Sequence, residues 1–117
     1  MRIRDMQREV HELAVSKGWW PEDEGARQSP INEILAKLAL VHSEISEAVE
    51  CVREGQLPLI CNPYNSAKPE GMVVELADAV IRIADLCDAL GLDLEYAIEM
   101  KHAYNQARPH RHGGKLA

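Results

Sequence analysis

The sequence lacks phenylalanine, and aromatic residues make up only 4% of its 117 residues. Aromatic residues are enriched in β-strands, whereas Leu, Ala and Met favour helices, so this composition predicts a helical core. The sequence has no apolar run near the roughly 18 residues of a membrane span, and no leader-like apolar segment follows its first residues. We therefore expect an all-α protein that is neither secreted nor membrane-spanning.

Cysteine is scarce and odd in number: the chain has Cys51, Cys61 and Cys87. No two of them have the Cys-x-x-Cys spacing that is typical of zinc knuckles, and an odd number does not fit a disulfide framework. This pattern favours a reducing compartment, so we expect a cytoplasmic protein.

Basic residues are fewer than acidic ones: the sequence has 13 Lys and Arg and 19 Asp and Glu, which gives a formal net charge of −6. The last carboxylate is Glu99, so residues 100–117 are neutral or basic while the preceding part is strongly acidic. Such a body repels the phosphates of long nucleic acid but is compatible with a small phosphate ligand bridged by metal. The length predicts one domain, residues 1–117, of which 109–117 form a basic tail. A chain of this length can bury only a small apolar core, so contacts between subunits of an oligomer would help to stabilise it.

Apolar residues recur at helical spacing in four segments, which are separated by segments rich in Pro and Gly. Residues 19–30 and 56–69 have no period and contain five of the six prolines, which predicts loops. Ser29 and Asp93 stand where N-cap residues are expected, and a glycine follows three of the four segments. We expect a four-helix bundle-like domain with helices at about 1–17, 30–54, 70–90 and 94–107.

Two pairs of carboxylates stand out on the second and third predicted helices. Glu44 and Glu47 are three residues apart, as are Glu75 and Asp78, so each pair lies on one helical face. Two consecutive helices that form an antiparallel hairpin would bring the pairs together. Because carboxylates in apolar surroundings need a compensating cation, the pattern predicts a site for Mg²⁺, with Mn²⁺ as a substitute.

This constellation resembles the MazG-like branch of the all-α nucleoside triphosphate pyrophosphohydrolases, whose pattern is E-E-x-x-E, a variable gap and E-x-x-D. Glu44, Glu47, Glu75 and Asp78 match its four metal-binding positions, while Ser43 stands where the pattern has its first Glu. The resemblance therefore implies that these four carboxylates are the catalytic, metal-binding residues of a MazG-type domain.

The end of the sequence is similar to the K-x-x-x-N-x-x-R-P…H-G-G-K ending of small family members. The matching residues are Lys101, Asn105, Arg108, His112 and Lys115. The resemblance implies that they bind the substrate, because cationic and amide side chains suit a triphosphate and a sugar. It covers nearly the whole chain.

The implied reaction is hydrolysis of an NTP or dNTP to the monophosphate and pyrophosphate, with water attacking the α-phosphorus. One of the metal-binding carboxylates, or Glu50, would accept the proton of the water. Deoxynucleotides and purines such as dGTP are the preferred substrates in this interpretation, and the family implies a homo-oligomer, a dimer or a tetramer. Trp20, with Trp19, either stacks on the base or seals the end of the bundle.

Two alternatives remain open. The same scaffold suits a pyrophosphohydrolase selective for dUTP or dCTP, or one that removes damaged nucleotides. An alternative of another class is a non-catalytic helical interaction module, in which the carboxylates form a solvated face. Such a module needs no divalent cation and tolerates replacement of Glu75 by Gln.

Overall fold

Four helices make up the part of the chain that a computed structural model describes, residues 2–21, 30–55 and 69–109. No strand occurs within these residues, so the expected all-α class is confirmed there. The helices are α1 (Ile3–Ser16), α2 (Pro30–Arg53), α3 (Met72–Ala89) and α4 (Leu94–Ala107). The predicted cap Ser29, most of the two predicted loops and the tail beyond 109 lie outside the described residues.

The helix bounds agree with the sequence prediction to within about two residues, and local chemistry explains the ends. Gly18 follows α1 with a φ of 77°, the left-handed conformation that glycine adopts without steric cost. α3 begins at Met72 rather than at 70, because Gly71 has a φ of 122° and interrupts the helical path. The predicted cap of α4 is confirmed, since the Asp93 side chain accepts a hydrogen bond from the Tyr96 amide at 3.1 Å.

α3 is the central helix, because it packs against both α2 and α1, while α4 packs against α1. The α2–α3 contacts run in opposite directions along the sequence: Glu44 meets Arg82, and Glu47, further along α2, meets Glu75, which precedes Arg82 on α3. The two helices are therefore antiparallel, as the predicted hairpin requires.

The buried apolar core of the described residues is small. Its members are Ala14, Trp20, Ala48, Ala79, Ala84 and Leu86. By contrast, many large apolar side chains of the described residues are exposed, such as Leu35 at 57% and Val49 at 50% on α2.

The length and hydropathy of the helices also bear on whether they could cross a membrane. None of those in the described part of the chain combines the length and the apolar character that crossing a bilayer requires.

Candidate active site

An acidic cluster, formed by Glu44 on α2 and by Glu75 and Asp78 on α3, lies at the interface of the two helices. One carboxylate oxygen from each residue lies within 4.8 Å of the other two. The i, i+3 spacing puts Glu75 and Asp78 on one face of α3, and the antiparallel packing turns that face toward Glu44. The structure thus brings together three of the four carboxylates that the sequence predicts as metal ligands.

Glu44 is the most buried carboxylate of the acidic cluster, with 7% of its surface exposed. Its Oε1 accepts a hydrogen bond from Nε of Arg82 at 2.9 Å. Burial acts to raise the pKa of Glu44, but the hydrogen bond and charge of Arg82, with hydrogen bonds from Glu47 and Glu75, outweigh it and lower the pKa below its ordinary value. Glu44 is therefore held ionised.

Glu75 has the opposite electrostatic character. Desolvation, hydrogen bonds with Glu47 and Glu44, and the charges of Glu47 and Asp78 together raise its pKa to about 7. The contact with Glu75 places Glu47, which is exposed, beside the acidic cluster. Glu75 therefore contacts both Glu44 and Glu47, and it retains a proton at pH values where an ordinary glutamate has lost it, because its pKa is raised.

Sequence reasoning missed Arg82, although Arg82 follows Asp78 by four residues, which is one helical turn. Its guanidinium compensates the charge of Glu44, whereas the groups that act on Glu75 are carboxylates. Like charges this close oppose ionisation, and a divalent cation relieves the repulsion.

The donor set fits a hard cation such as Mg²⁺ or Mn²⁺, since it consists of carboxylate oxygens alone. Oxygens on opposite sides of Mg²⁺ lie about 4.2 Å apart, because each Mg–O distance is about 2.1 Å. The 4.8 Å span of Glu44, Glu75 and Asp78 is slightly wider than that. Side-chain rotation of Glu75 or Asp78, which are partly exposed, would be needed to bring all three oxygens onto one ion.

A cavity of about 490 Å³ adjoins the acidic cluster. Its polar lining includes Glu44, Asp78 and Arg82, and its apolar walls include Val10, Leu13, Leu40 and Ile81 from three helices. Small-molecule sites in proteins typically combine apolar walls with a few convergent polar groups, in a volume of roughly 300–1,000 Å³. The cavity is large enough for a nucleoside next to the carboxylates.

The two neighbouring tryptophans, Trp19 and Trp20, have different environments. Trp19 is 61% exposed and lines the cavity, whereas Trp20 is 6% exposed and belongs to the core. The indole N–H of Trp20 donates to both oxygens of Asp85 at 3.0 Å, and Asp85 also contacts Nδ1 of His11 at 2.6 Å. Lys37 places its Nζ 4.1 Å from the centre of the Trp20 ring. Trp20 is therefore packed in the core of the described residues, and Trp19 is the tryptophan that is exposed at the cavity.

The predicted substrate-binding residues of α4 lie apart from the cavity. Lys101, Asn105 and Arg108 are all exposed, and the first two line a shallow pocket formed by α4 itself. A shallow groove on the surface of α2 and α3 is lined by Glu47, Glu50 and Glu75, among others. As far as the described residues show, none of the three predicted substrate-binding residues lines the cavity or this groove. His112 and Lys115, the other two predicted residues, lie outside the described part of the chain.

Comparison with protein-family models, with curated proteins and with solved structures gave no match to this chain.

Proposed function

We propose that the protein is a divalent-cation-dependent pyrophosphohydrolase, which converts a nucleoside triphosphate to its monophosphate and pyrophosphate. The observation that carries the proposal is the convergence of Glu44, Glu75 and Asp78 within 4.8 Å beside a cavity of about 490 Å³. The resemblance of their spacing to the MazG-like pattern supports the same reaction.

In this proposal Glu44, Glu47, Glu75 and Asp78 hold Mg²⁺, which would neutralise charge on the phosphates and acidify water. Arg82 keeps Glu44 ionised and fixes its side chain through the 2.9 Å hydrogen bond. The apolar walls of the cavity and Trp19 receive the nucleoside and exclude bulk water from it. The reaction forms a bond between the water oxygen and the α-phosphorus, breaks the bond from that phosphorus to the bridging oxygen, and releases pyrophosphate.

A carboxylate must accept the proton of the attacking water. Glu47 is well placed because it is exposed and already shares a hydrogen bond with Glu75. Glu50, which lies one turn further along α2 and lines the same groove as Glu47 and Glu75, is the alternative acceptor. The pH dependence of kcat in Glu47→Gln and in Glu50→Gln distinguishes these two proposed proton acceptors.

The test is pyrophosphate release from the common ribo- and deoxyribonucleoside triphosphates, each supplied alone with Mg²⁺, with Mn²⁺ or with EDTA. We expect cation-dependent pyrophosphate and no orthophosphate, with purine deoxynucleotides such as dGTP ranking high. Glu75→Gln and Asp78→Asn should lower kcat by roughly 100-fold or more while helix content by circular dichroism stays unchanged. Glu12→Gln is the matched control, because Glu12 is an exposed carboxylate on α1 outside both the cavity and the groove.

Other outcomes favour the alternatives. A preference for dUTP or dCTP identifies a pyrimidine-selective enzyme on the same scaffold. Turnover of modified nucleotides alone identifies a house-cleaning enzyme. If no triphosphate is hydrolysed and Mg²⁺ does not bind, the result favours the alternative of a non-catalytic helical interaction module.

A further inference from the structure

Two cationic side chains are among the described residues that line the cavity, Lys37 on α2 and Arg82 on α3. The other charged residues of this lining are the carboxylates Glu44, Asp78 and Asp85. A nucleotide in the cavity brings negative phosphates to a wall with more acidic than basic groups. The placement of the two cations therefore decides where the wall itself can bind phosphate.

Lys37 is held beside the two tryptophans at one end of the cavity. Its Nζ donates a hydrogen bond to the Trp19 carbonyl at 3.1 Å and lies 4.1 Å from the centre of the Trp20 ring. Seven residues separate Lys37 from Glu44, which is about two turns of α2. These contacts keep the charge of Lys37 beside the indoles and away from the acidic cluster.

Arg82 differs from Lys37, because most of its donors are unused within the described residues. Its Nε donates to Oε1 of Glu44 at 2.9 Å, and its two terminal nitrogens have no hydrogen-bond partner there. A guanidinium carries five N–H donors in one plane, in a fork that matches two oxygens of a phosphate. The side chain is 41% exposed although it is bonded to a buried carboxylate. Arg82 is therefore fixed through Nε and keeps its terminal donors for a ligand.

The order of residues along α3 places Arg82 between the acidic cluster and the end of the cavity beside Trp19. Asp78, Arg82 and Asp85 line the cavity in this order, whereas Glu75, which precedes Asp78, lines the groove instead. Arg82 follows Asp78 by four residues, about 6 Å along the helix axis, so both lie on one face. A cation held by Asp78 and the guanidinium of Arg82 are therefore close enough to bind oxygens of the same phosphate.

We infer that Arg82 binds the α-phosphate of the nucleotide, an inference that rests on the proposed function for the identity of the ligand. With the nucleoside against Trp19 and the apolar walls, the α-phosphate is the first phosphate to reach the acidic cluster. The terminal nitrogens of Arg82 donate hydrogen bonds to its non-bridging oxygens, while the carboxylates hold the cation. Because water attacks the same phosphorus, the guanidinium also stabilises charge on these oxygens during the reaction.

The test is equilibrium binding of deoxyguanosine, dGMP and a dGTP analogue in the presence of Mg²⁺. In the analogue a methylene group replaces the oxygen between the α- and β-phosphorus atoms, which prevents turnover, and a parallel series on deoxyuridine covers a pyrimidine-selective protein. The ratio of the nucleoside Kd to the monophosphate Kd isolates the contribution of the α-phosphate. Arg82→Ala should lower this ratio by roughly tenfold or more, because charge-assisted hydrogen bonds are the strong ones. The loss for the analogue should be no greater than the loss for the monophosphate.

Lys37→Met is the matched control, because Lys37 is a cation of the same cavity wall whose Nζ is already bonded to the Trp19 carbonyl. It should leave the ratio unchanged even if it weakens the binding of both ligands. Arg82→Lys should give an intermediate ratio, since an ammonium group keeps the charge but loses the planar fork. Urea unfolding in Mg²⁺ shows that each variant is folded under the binding conditions.

A second background separates direct contact with phosphate from an effect through Glu44. Glu44→Gln removes the carboxylate charge that the guanidinium compensates, so Arg82→Ala no longer leaves that charge without its partner. A direct contact predicts that Arg82→Ala still lowers the ratio in this background. An unchanged ratio there would make Arg82 a positioning residue for Glu44 and overturn the inference.

The pattern across the ligands decides the other cases. A loss that is confined to the triphosphate analogue places Arg82 beside the leaving pyrophosphate and overturns the assignment to the α-phosphate. An equal loss for the nucleoside reveals a general change of the cavity and overturns it as well. Monophosphate binding that is independent of Arg82 overturns the inference alone, whereas a wild-type protein that binds no member of either series overturns the proposed function with it.

Discussion

Arg82 on α3 donates its Nε–H to Oε1 of Glu44 on α2 over 2.9 Å, and this hydrogen bond joins the two helices at the acidic cluster. The carboxylate is almost fully buried while the guanidinium is 41% exposed. We therefore expect the contribution of this pair to the free energy of unfolding to be intermediate between two cases. An exposed ion pair contributes little to stability, whereas disruption of a buried pair leaves an uncompensated buried charge.

Arg82→Ala should lower the free energy of unfolding in EDTA by about 1–2 kcal/mol, an amount between those two cases. Loss of the guanidinium removes the positive charge that compensates Glu44 beside its neighbouring carboxylates, and Mg²⁺ should restore much of the stability. Urea unfolding with and without Mg²⁺ measures both effects. Arg53→Ala is the control, because Arg53 pairs with Glu50 on the exposed surface of α2, and its change should be below about 0.5 kcal/mol.

The raised pKa of Glu75 predicts a pH dependence of stability in the absence of metal. Between the ordinary Glu value of 4.5 and about 7, the folded protein retains a proton on Glu75 that the unfolded chain has lost. The contribution of Glu75 to the free energy of unfolding therefore falls as the pH rises through this window. Glu44, whose pKa is lowered, acts in the other direction and below 4.5, so it does not cancel the fall.

The measurement compares wild type with Glu75→Gln by urea unfolding in EDTA at several pH values. The stability of the wild type relative to the variant should decline between pH 4.5 and about 7, because the amide side chain of the variant does not titrate. Mg²⁺ should flatten the wild-type curve, since the cation favours the ionised carboxylate. A constant difference across this range would show that Glu75 titrates normally in the folded protein.

The helical fold was predictable from sequence because local signals determine it. The helical periodicity of the apolar residues indicates each helix, and prolines and capping residues such as Asp93 lie within a few residues of the helix ends that they determine. The approach of Glu75 to Glu44 was predictable for the same reason, since the i, i+3 spacing and a hairpin suffice. The helix spacing does not tell which apolar stripe a single chain buries, so the exposure of Leu35 and Val49 required the structure.

The residues around the acidic cluster were harder to predict. Arg82 is one turn from Asp78, but its hydrogen bond is to a residue 38 positions away. The roles of Trp19 and Trp20 depend on whether Asp85, which lies 65 residues beyond Trp20, accepts the indole N–H of one of them. The placement of α4 against α1 depends on contacts between distant segments, so sequence could list the basic residues of α4 as ligands without showing where they lie.

The different environments of the two tryptophans predict different mutant behaviour. Trp20→Phe removes the hydrogen bond to Asp85 and leaves a part-buried carboxylate with fewer partners, so it should lower the free energy of unfolding by about 1–3 kcal/mol. Trp19→Ala should leave stability nearly unchanged and raise the Kd for a nucleotide, because Trp19 lines the cavity. Equilibrium unfolding and nucleotide titration separate the two effects. A nucleotide affinity that depends on Trp20 alone, at unchanged stability, would assign the stacking role to Trp20.

Gln7 links α1 to the start of α4 and predicts a local effect on that helix. Its side chain is 5% exposed, its Nε2 donates to the Leu92 carbonyl and its Oε1 accepts from the Leu94 amide at 3.1 Å. Gln7→Met keeps the approximate volume and removes both hydrogen bonds, so it should cost about 1–3 kcal/mol of stability. Because those bonds fix the first turn of α4, hydrogen exchange should accelerate most at the amides of 94–107.

Arg8→Met provides the matched control for Gln7→Met on α1. Arg8 is exposed and pairs with Asp5 within the same helix, so its loss should leave α4 exchange unchanged. Exchange that is uniform over all four helices would instead mean that Gln7 stabilises the whole protein rather than the attachment of α4.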